Sequence, residues 1–437
     1  MFYFSISKLF LLTLYCSHSF GYDCRLHFNL QVADDETLLF VSGNLIHIFN
    51  VRTKEMNFRR SAGGGGFGHV LVIPLCLFKF LFLFCAFEGI ICMKLLATYE
   101  IMNKNEKYKN CIAVAEKGIA PLIVIYQWPD WNVISVLKHG ALREYTHLDF
   151  NPDGTLLASQ AGSPDLLLTI WDWRKGCIIL SVKSCTEQVY NVKFSRYVPG
   201  ELATCGVKHV KFWKMIRTFT GLKIIGKLGR FGQTDVSDIL GVYPMPNNYT
   251  LTGCSWGNML LWEDDEIKLE VTRKGRKPCH SGEIVQFRYY HDLRELTSIK
   301  DEKYIEMKPI YEILVKDKLS VAHFYSMAKS SGEDDCKRQN WFGQDLNGGI
   351  WDVDMAVARN VRDPKKLYWC HSKSITDIAA SPHGYYVASI GEDGRLHLYD
   401  VKTKKIIIIK QFNAPGFCLL WLPLEVSKTS VNNARIS

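Results

Sequence analysis

The sequence lacks the spacings that carry chemistry. None of its 14 cysteines stands in a Cys-x-x-Cys pair, which removes the usual zinc-binding and thioredoxin-like arrangements. The glycine run Gly63-Gly64-Gly65-Gly66-Phe67-Gly68 continues into His69-Val70. Without a closing Gly-Lys-Ser/Thr it offers no lysine and hydroxyl to phosphate and magnesium, so it reads as a flexible connection. No dinucleotide fingerprint and no nucleophile–base constellation emerges. Long runs of one charge are also missing. The net charge of +9 is spread over 437 residues, and the local cluster Arg273-Lys274-Gly275-Arg276-Lys277 is short, as in a solvated loop. The acidic run Glu263-Asp264-Asp265-Glu266 reads in the same way, as a solvated turn. The sequence therefore points to a non-enzyme: no catalytic residue, no cofactor, no metal, no nucleic acid and no small-molecule substrate is expected. Single cysteines within apolar strands, such as Cys205 and Cys254, read as small buried residues of a reducing compartment. In that setting the sequon Asn248-Tyr249-Thr250 is a chance match.

What is present is a repeat. Seven segments end with an apolar-aromatic strand running into a polar residue: Ile48-Phe49-Asn50, Ile125-Tyr126-Gln127, Ile170-Trp171-Asp172, Phe212-Trp213-Lys214, Leu261-Trp262-Glu263, Ile350-Trp351-Asp352 and Leu398-Tyr399-Asp400. Tyr126, Trp171, Trp213 and Trp262 follow one another at 45, 42 and 49 residues, and Trp351 and Tyr399 are 48 apart. A period of roughly 40–45 residues closed by a Trp-Asp pair is the WD40 signature. Within a repeat, alternating strands are joined by Asn151-Pro152-Asp153-Gly154, Ser381-Pro382-His383-Gly384 or Glu392-Asp393-Gly394. Proline fixes φ and glycine accepts positive φ at such turns. The expectation is an all-β WD40 β-propeller of about seven blades, whose blade-closing structural residues are Trp171, Asp172, Trp213, Trp262, Trp351, Asp352, Tyr399 and Asp400. His280 and His371 each lie just before an inner strand, where a WD40 histidine hydrogen-bonds within its blade.

The period breaks twice. Phe49 and Tyr126 are 77 residues apart, and the excess coincides with a hydrophobic insert between the first two blades, at about residues 69–109. Trp262 and Trp351 are 89 apart without a closing aromatic-acid pair near the midpoint, so one blade, at about 284–315, is read as degenerate. Within the insert, residues 70–87 are just long enough for a membrane helix but carry Pro74 and Lys79; a mid-bilayer lysine costs roughly 2.5–3.5 kcal/mol on insertion scales. Their composition is what a pyrimidine-rich non-coding stretch would give if translated. Residues 1–20 form a hydrophobic N-terminal extension resembling a secretory signal, yet the repeats and cysteines after it read as cytosolic. The domain reading is thus extension 1–20, propeller 21–424 and tail 425–437.

Several stretches are more specific than a generic repeat. Residues 220–232 (TGLKIIGKLGRFG), 255–263 (SWGNMLLWE), Cys279-His280-Ser281-Gly282, Val114-Ala115-Glu116-Lys117-Gly118 and 168–173 (LTIWDW) closely resemble the N-terminal propeller region of the cilia- and flagella-associated protein 44 family. The resemblance covers roughly residues 20–68 and 110–424, and departs where the period breaks. It implies an N-terminal fragment, or an imperfect gene reading, of a longer axonemal protein of motile cilia with a second propeller and coiled-coil regions. It also implies membership of a tether complex linking inner-arm dynein heads to the doublet microtubule, beside a related WD-repeat partner. The candidate interaction loop is Arg230 and Phe231, an arginine and an aromatic in a glycine-rich connection. A general cytoplasmic WD40 adaptor, or a microtubule-binding protein, is the first alternative. A membrane-tethered or secreted propeller is the second; membrane attachment and secretion are not the favoured reading.

Overall fold

The computed structural model describes residues 19, 21–24, 28–34, 36–63, 66–72, 83–86, 89–92, 111–288, 304–306, 311–313, 319–326, 339–354, 363–403 and 405–421. The readings on residues 1–18, on the tail 425–437 and on most of 73–110 and 289–318 lie outside these. Every regular element among the described residues is a β-strand, and the strands form eight sheets.

The sheets follow the chain. The first takes residues 31–60, the third 145–183, the fourth 189–228, the seventh 319–369 and the eighth 375–411. Each is a four-stranded antiparallel meander, as the Pro/Gly and Asp-Gly turns dictate. The second sheet starts with Gly66–Val72 and continues with Cys111–Lys117, Ile123–Gln127 and Asn132–Leu137. The fifth runs from Ile239–Pro244 to Glu266–Thr272 and adds Tyr304–Glu306, parallel to its last strand, at its outer edge. The sixth is assembled from distant parts of the chain. Leu83–Ala86 and Gly89–Cys92, from within the hydrophobic stretch, lie between Ile284–Arg288 and Tyr311–Ile313. Two strands of the insert therefore stand where the sequence shows a degenerate repeat.

Seven of the sheets form a ring, because one four-stranded meander buries neither face alone. Strand Cys111–Lys117 shows how. Cys111, Ala113 and Ala115 pack with Tyr145, Leu148 and Trp171 of the third sheet. The alternate residues Ile112 and Val114 pack with Leu39, Val41 and Ile46 of the first. A strand buried on both faces reads as a continuous apolar run rather than an alternation. The same sharing joins the third to the fourth sheet, the fourth to the fifth, and the fifth to Ile284 and Phe287 of the sixth. Closure is made by Leu38, Phe40 and Phe49 of the first sheet, packed with Phe342, Ile350 and Cys370 of the seventh region. Gln344 donates to the Cys24 carbonyl at 3.2 Å across the same seam.

The eighth sheet comes after ring closure. Among the described residues its strands pack closely on none of the other seven sheets, and Ile378, Tyr385, Ile407 and Ile408 are exposed. The chain after Gln411 folds back along it, with Leu419 N–H donating to Asp377 and the Trp421 indole to the Ala379 carbonyl at 2.9 Å.

Candidate interaction surface

Strand register places each blade-closing aromatic. Trp171 stands opposite Leu157, Trp213 opposite Leu202, Trp262 opposite Thr250, Trp351 opposite Gly343 and Tyr399 opposite Val387. Two residues further along the partner strand, on the same face, stands an oxygen acceptor. The indole N–H groups of Trp171, Trp213 and Trp262 donate to Ser159 Oγ, Thr204 Oγ1 and Thr252 Oγ1 at 2.8, 2.9 and 2.8 Å. Trp351 donates to Asp345 Oδ2 at 2.7 Å. Tyr399 has no indole, and there Ser389 Oγ pairs at 2.9 Å with His371 Nε2, whose Nδ1 faces Asp393 Oδ1 at 3.1 Å. Burying an indole donor without an acceptor is costly. That cost explains the hydroxyl residues, which sequence reasoning passed over. Their signal is a small hydroxyl residue inside an otherwise apolar second strand.

The polar residue that closes the strand has a different task. Asp172 accepts from the Lys175 backbone N–H at 3.2 Å and pairs with its ammonium at 2.9 Å. Asp400 accepts from the N–H groups of Lys402 and Thr403, at 2.9 and 3.3 Å. Each fastens the turn into the outermost strand, an Asx-type turn. Asp352 takes the same place, opposite Lys365.

His280, His371 and His397 are packed inside blades. His371 and His397 stack with ring centroids 4.1 Å apart, and both are almost fully buried. Burial, then the neighbouring His371 charge, lowers His397 to about 3. Burial of the Asp393 carboxyl works to raise it, but hydrogen bonds from His371 and from the Ser372 and Arg395 backbone bring it down to about 2. His280 is 5 % exposed, and burial, then the Arg273 charge, lowers it to about 4. This arrangement locks the three rings into the fold. Among the described residues no group of three His, Cys, Asp or Glu could hold a metal ion, and no helix is long and apolar enough to cross a membrane. Nine cysteines are free thiols: Cys24, Cys111, Cys205, Cys254, Cys279 and Cys370 are buried, Cys185 is half-buried, and Cys177 and Cys418 are exposed.

Arg230 and Phe231 lie where the fourth sheet passes into the fifth. The Arg230 guanidinium, 65 % exposed, pairs with Asp265 at 2.9 Å and Glu266 at 2.8 Å. The acidic turn 263–266 therefore holds this arginine. Phe231 is half-buried, edge-on to Trp262 with centroids 5.3 Å apart. Both side chains thus join neighbouring blades, while the guanidinium keeps an open side.

The WD domain, G-beta repeat family matches residues 362–400, the stretch that holds the His371–Ser389–Asp393 set. A protein of Mus musculus, cilia- and flagella-associated protein 44, is 35 % identical over 96 % of this chain. The expected resemblance holds. The Chlamydomonas reinhardtii protein of the same name is 32 % identical over 60 % of the chain. The chain spans 22 % of the mouse relative's length and 14 % of the algal one's. Human echinoderm microtubule-associated protein-like 1 is 28 % identical over 46 % of the chain, which covers 25 % of it. With the eight sheets, these matches make the fold a WD40 β-propeller.

Proposed function

We propose that the chain is a non-enzymatic WD-repeat scaffold of cilia and flagella, seated on the axoneme of the motile cilium. Within it, the proposed role is that of a component of the tether complex that anchors inner-arm dynein heads to doublet microtubules and so shapes the beat. The observation that carries this reading is the 35 % identity to cilia- and flagella-associated protein 44 over 96 % of the chain. The fold agrees with it: a ring of sheets whose buried polar groups serve packing, with its chemistry spent on rigidity. The open side of Arg230, 65 % exposed, is the proposed contact at the connection between the fourth and fifth sheets.

Proximity labelling from the tagged protein in motile cilia tests the tether role. Enrichment of inner-arm dynein heavy chain and of a second WD-repeat protein is expected; labelling of neither overturns it. The likeness to a microtubule-associated protein favours a second reading, direct microtubule binding. Cosedimentation of the purified chain with microtubules lacking all other axonemal proteins would support that one instead.

A further inference from the structure

From Leu202 to Thr234 the chain carries seven Lys and Arg residues and no Asp or Glu. The fold places five of the seven on one hairpin, with Lys208 and Arg230 just beyond its two ends. Strand His209–Thr218 is ten residues long and its partner Gly221–Leu228 eight, where most other strands of the ring have five to seven. The preceding strand leaves the ladder at Glu201, opposite Lys214. Beyond that point the hairpin continues as a two-stranded ribbon, to the Thr218–Gly221 pair and the fully exposed Phe219 at its tip. Four residues per strand at about 3.3 Å each make a projection of roughly 13 Å.

The outer strand of the ribbon is the last in its sheet, so one edge of its backbone has no strand beside it among the described residues. Lys223, Ile225 and Lys227 alternate along that strand and so share one face. All three are exposed, Ile225 by 51 %. Lys214 stands opposite Ile225, and Ile216 opposite Lys223, on the same face. Lys214 is matched by Glu201 at 2.8 Å, and Lys227 only loosely by Asp265 at 3.8 Å. The neighbouring blade shows what such an edge can accept. In the fifth sheet Tyr304–Glu306 adds in parallel to the outermost strand, pairing with Glu270, Val271 and Thr272.

We propose that the free edge of Gly221–Leu228 binds an extended acidic segment of a partner protein, with carboxylates at i and i+4 flanking an apolar residue at i+2. The carboxylates would face Lys223 and Lys227 and the apolar residue Ile225, at the spacing of directly opposed residues. Main-chain pairing supplies the affinity of this mode, and the alternate side chains supply its selectivity. Lysines also guard edges against self-pairing. That role accounts for the charges, but not for isoleucine left exposed between them or for the absence of any acid across 33 residues. Nucleic acid is the weaker fit, because Ile225, the residue between Lys223 and Lys227 on the exposed face, is aliphatic and offers no stacking platform. The inference deepens the scaffold reading by naming one of its surfaces. Loss of axonemal seating would leave the peptide result standing, and failure of peptide binding would leave the seating untouched.

The test uses the full chain and a fluorescent peptide, Glu-Thr-Val-Thr-Glu-Thr-Val-Thr-Glu, followed by polarisation at low salt. Binding is expected, weakening as salt rises. The permuted peptide, with its glutamates contiguous, should bind less tightly. Lys223→Glu with Lys227→Glu should reduce affinity about 10-fold or more, since two exposed attractions become repulsions. Lys138→Glu, an exposed lysine in the loop after the strand Asn132–Leu137 of the second sheet, should change nothing. If the double reversal alters the melting curve, Lys223→Gln with Lys227→Gln replaces it. No binding, equal binding by the double variant, or tighter binding of a single-stranded oligonucleotide of equal charge would each overturn the proposal.

Discussion

The register rule makes a quantitative prediction at Trp262 and Thr252. Trp262 is fully buried, contacts Phe212 and Phe231, and donates to Thr252 Oγ1 at 2.8 Å. Thr252→Val keeps the shape but leaves a buried indole N–H without an acceptor, a loss of about 1–3 kcal/mol. Trp262→Phe removes the donor and leaves a small cavity, which adds a packing cost of similar order, ~1–3 kcal/mol. The two together remove both halves of the bond, so the double variant should cost less than the sum by about 1 kcal/mol. Repeat arrays open locally, so the suitable readout is the opening free energy from amide exchange across Tyr249–Cys254 and Met259–Glu263, beside the urea midpoint. A harmless Thr252→Val, or strict additivity in the double variant, would refute the account of these hydroxyls.

The remaining predictions concern pH, thiols and one glycine. Burial holds His397 at about 3 and His280 at about 4, so between pH 6.5 and those values the unfolded chain binds more protons than the folded one. Stability should therefore fall as pH is lowered from 6.5, with the slope reduced in His397→Asn. Asp393, held at about 2, adds a further loss between its unfolded value near 4 and about pH 2; thermal melts across pH 3–7 check the upper part of this window. Iodoacetamide should label Cys177 and Cys418 in the native protein and leave the buried Cys205, Cys254 and Cys370 untouched until denaturant is added; mass spectrometry of the alkylated peptides decides it. Gly257 has φ +91°, and a Cβ there would lie 2.1 Å from the His280 carbonyl oxygen. Gly257→Ala should cost more than about 1 kcal/mol, read as a lower urea midpoint.

The parts of the fold that can be read from the sequence are those built by local pattern. Closing aromatics and Pro/Gly turns mark the strands from Tyr145 to Glu263 because meander strands pair with their sequence neighbours, so the period survives in one dimension. The sixth sheet carries no such mark. Its strands Leu83–Ala86 and Gly89–Cys92 sit beside residues about 200 positions later, and no spacing rule reaches across that distance. The place of the eighth sheet is hidden for another reason. Tyr399 and Asp400 close it as they would any blade, and only inter-sheet packing tells a blade inside the ring from one after it. Of the candidate surface, Arg230 and Phe231 stand out by type, but their tie to Asp265 and Trp262 is tertiary. The ribbon of His209–Thr218 and Gly221–Leu228 is hidden by interleaving. Its basic residues lie three to six apart in sequence and converge only when the two strands pair.

The central claim is that this propeller is a fixed part of the axoneme. Its most direct test is nonionic-detergent extraction of isolated motile cilia carrying the tagged endogenous protein. Retention on the stripped axoneme, resistant to detergent and released only by salt or chaotrope, is the predicted result. Release with the membrane and matrix fraction would contradict it.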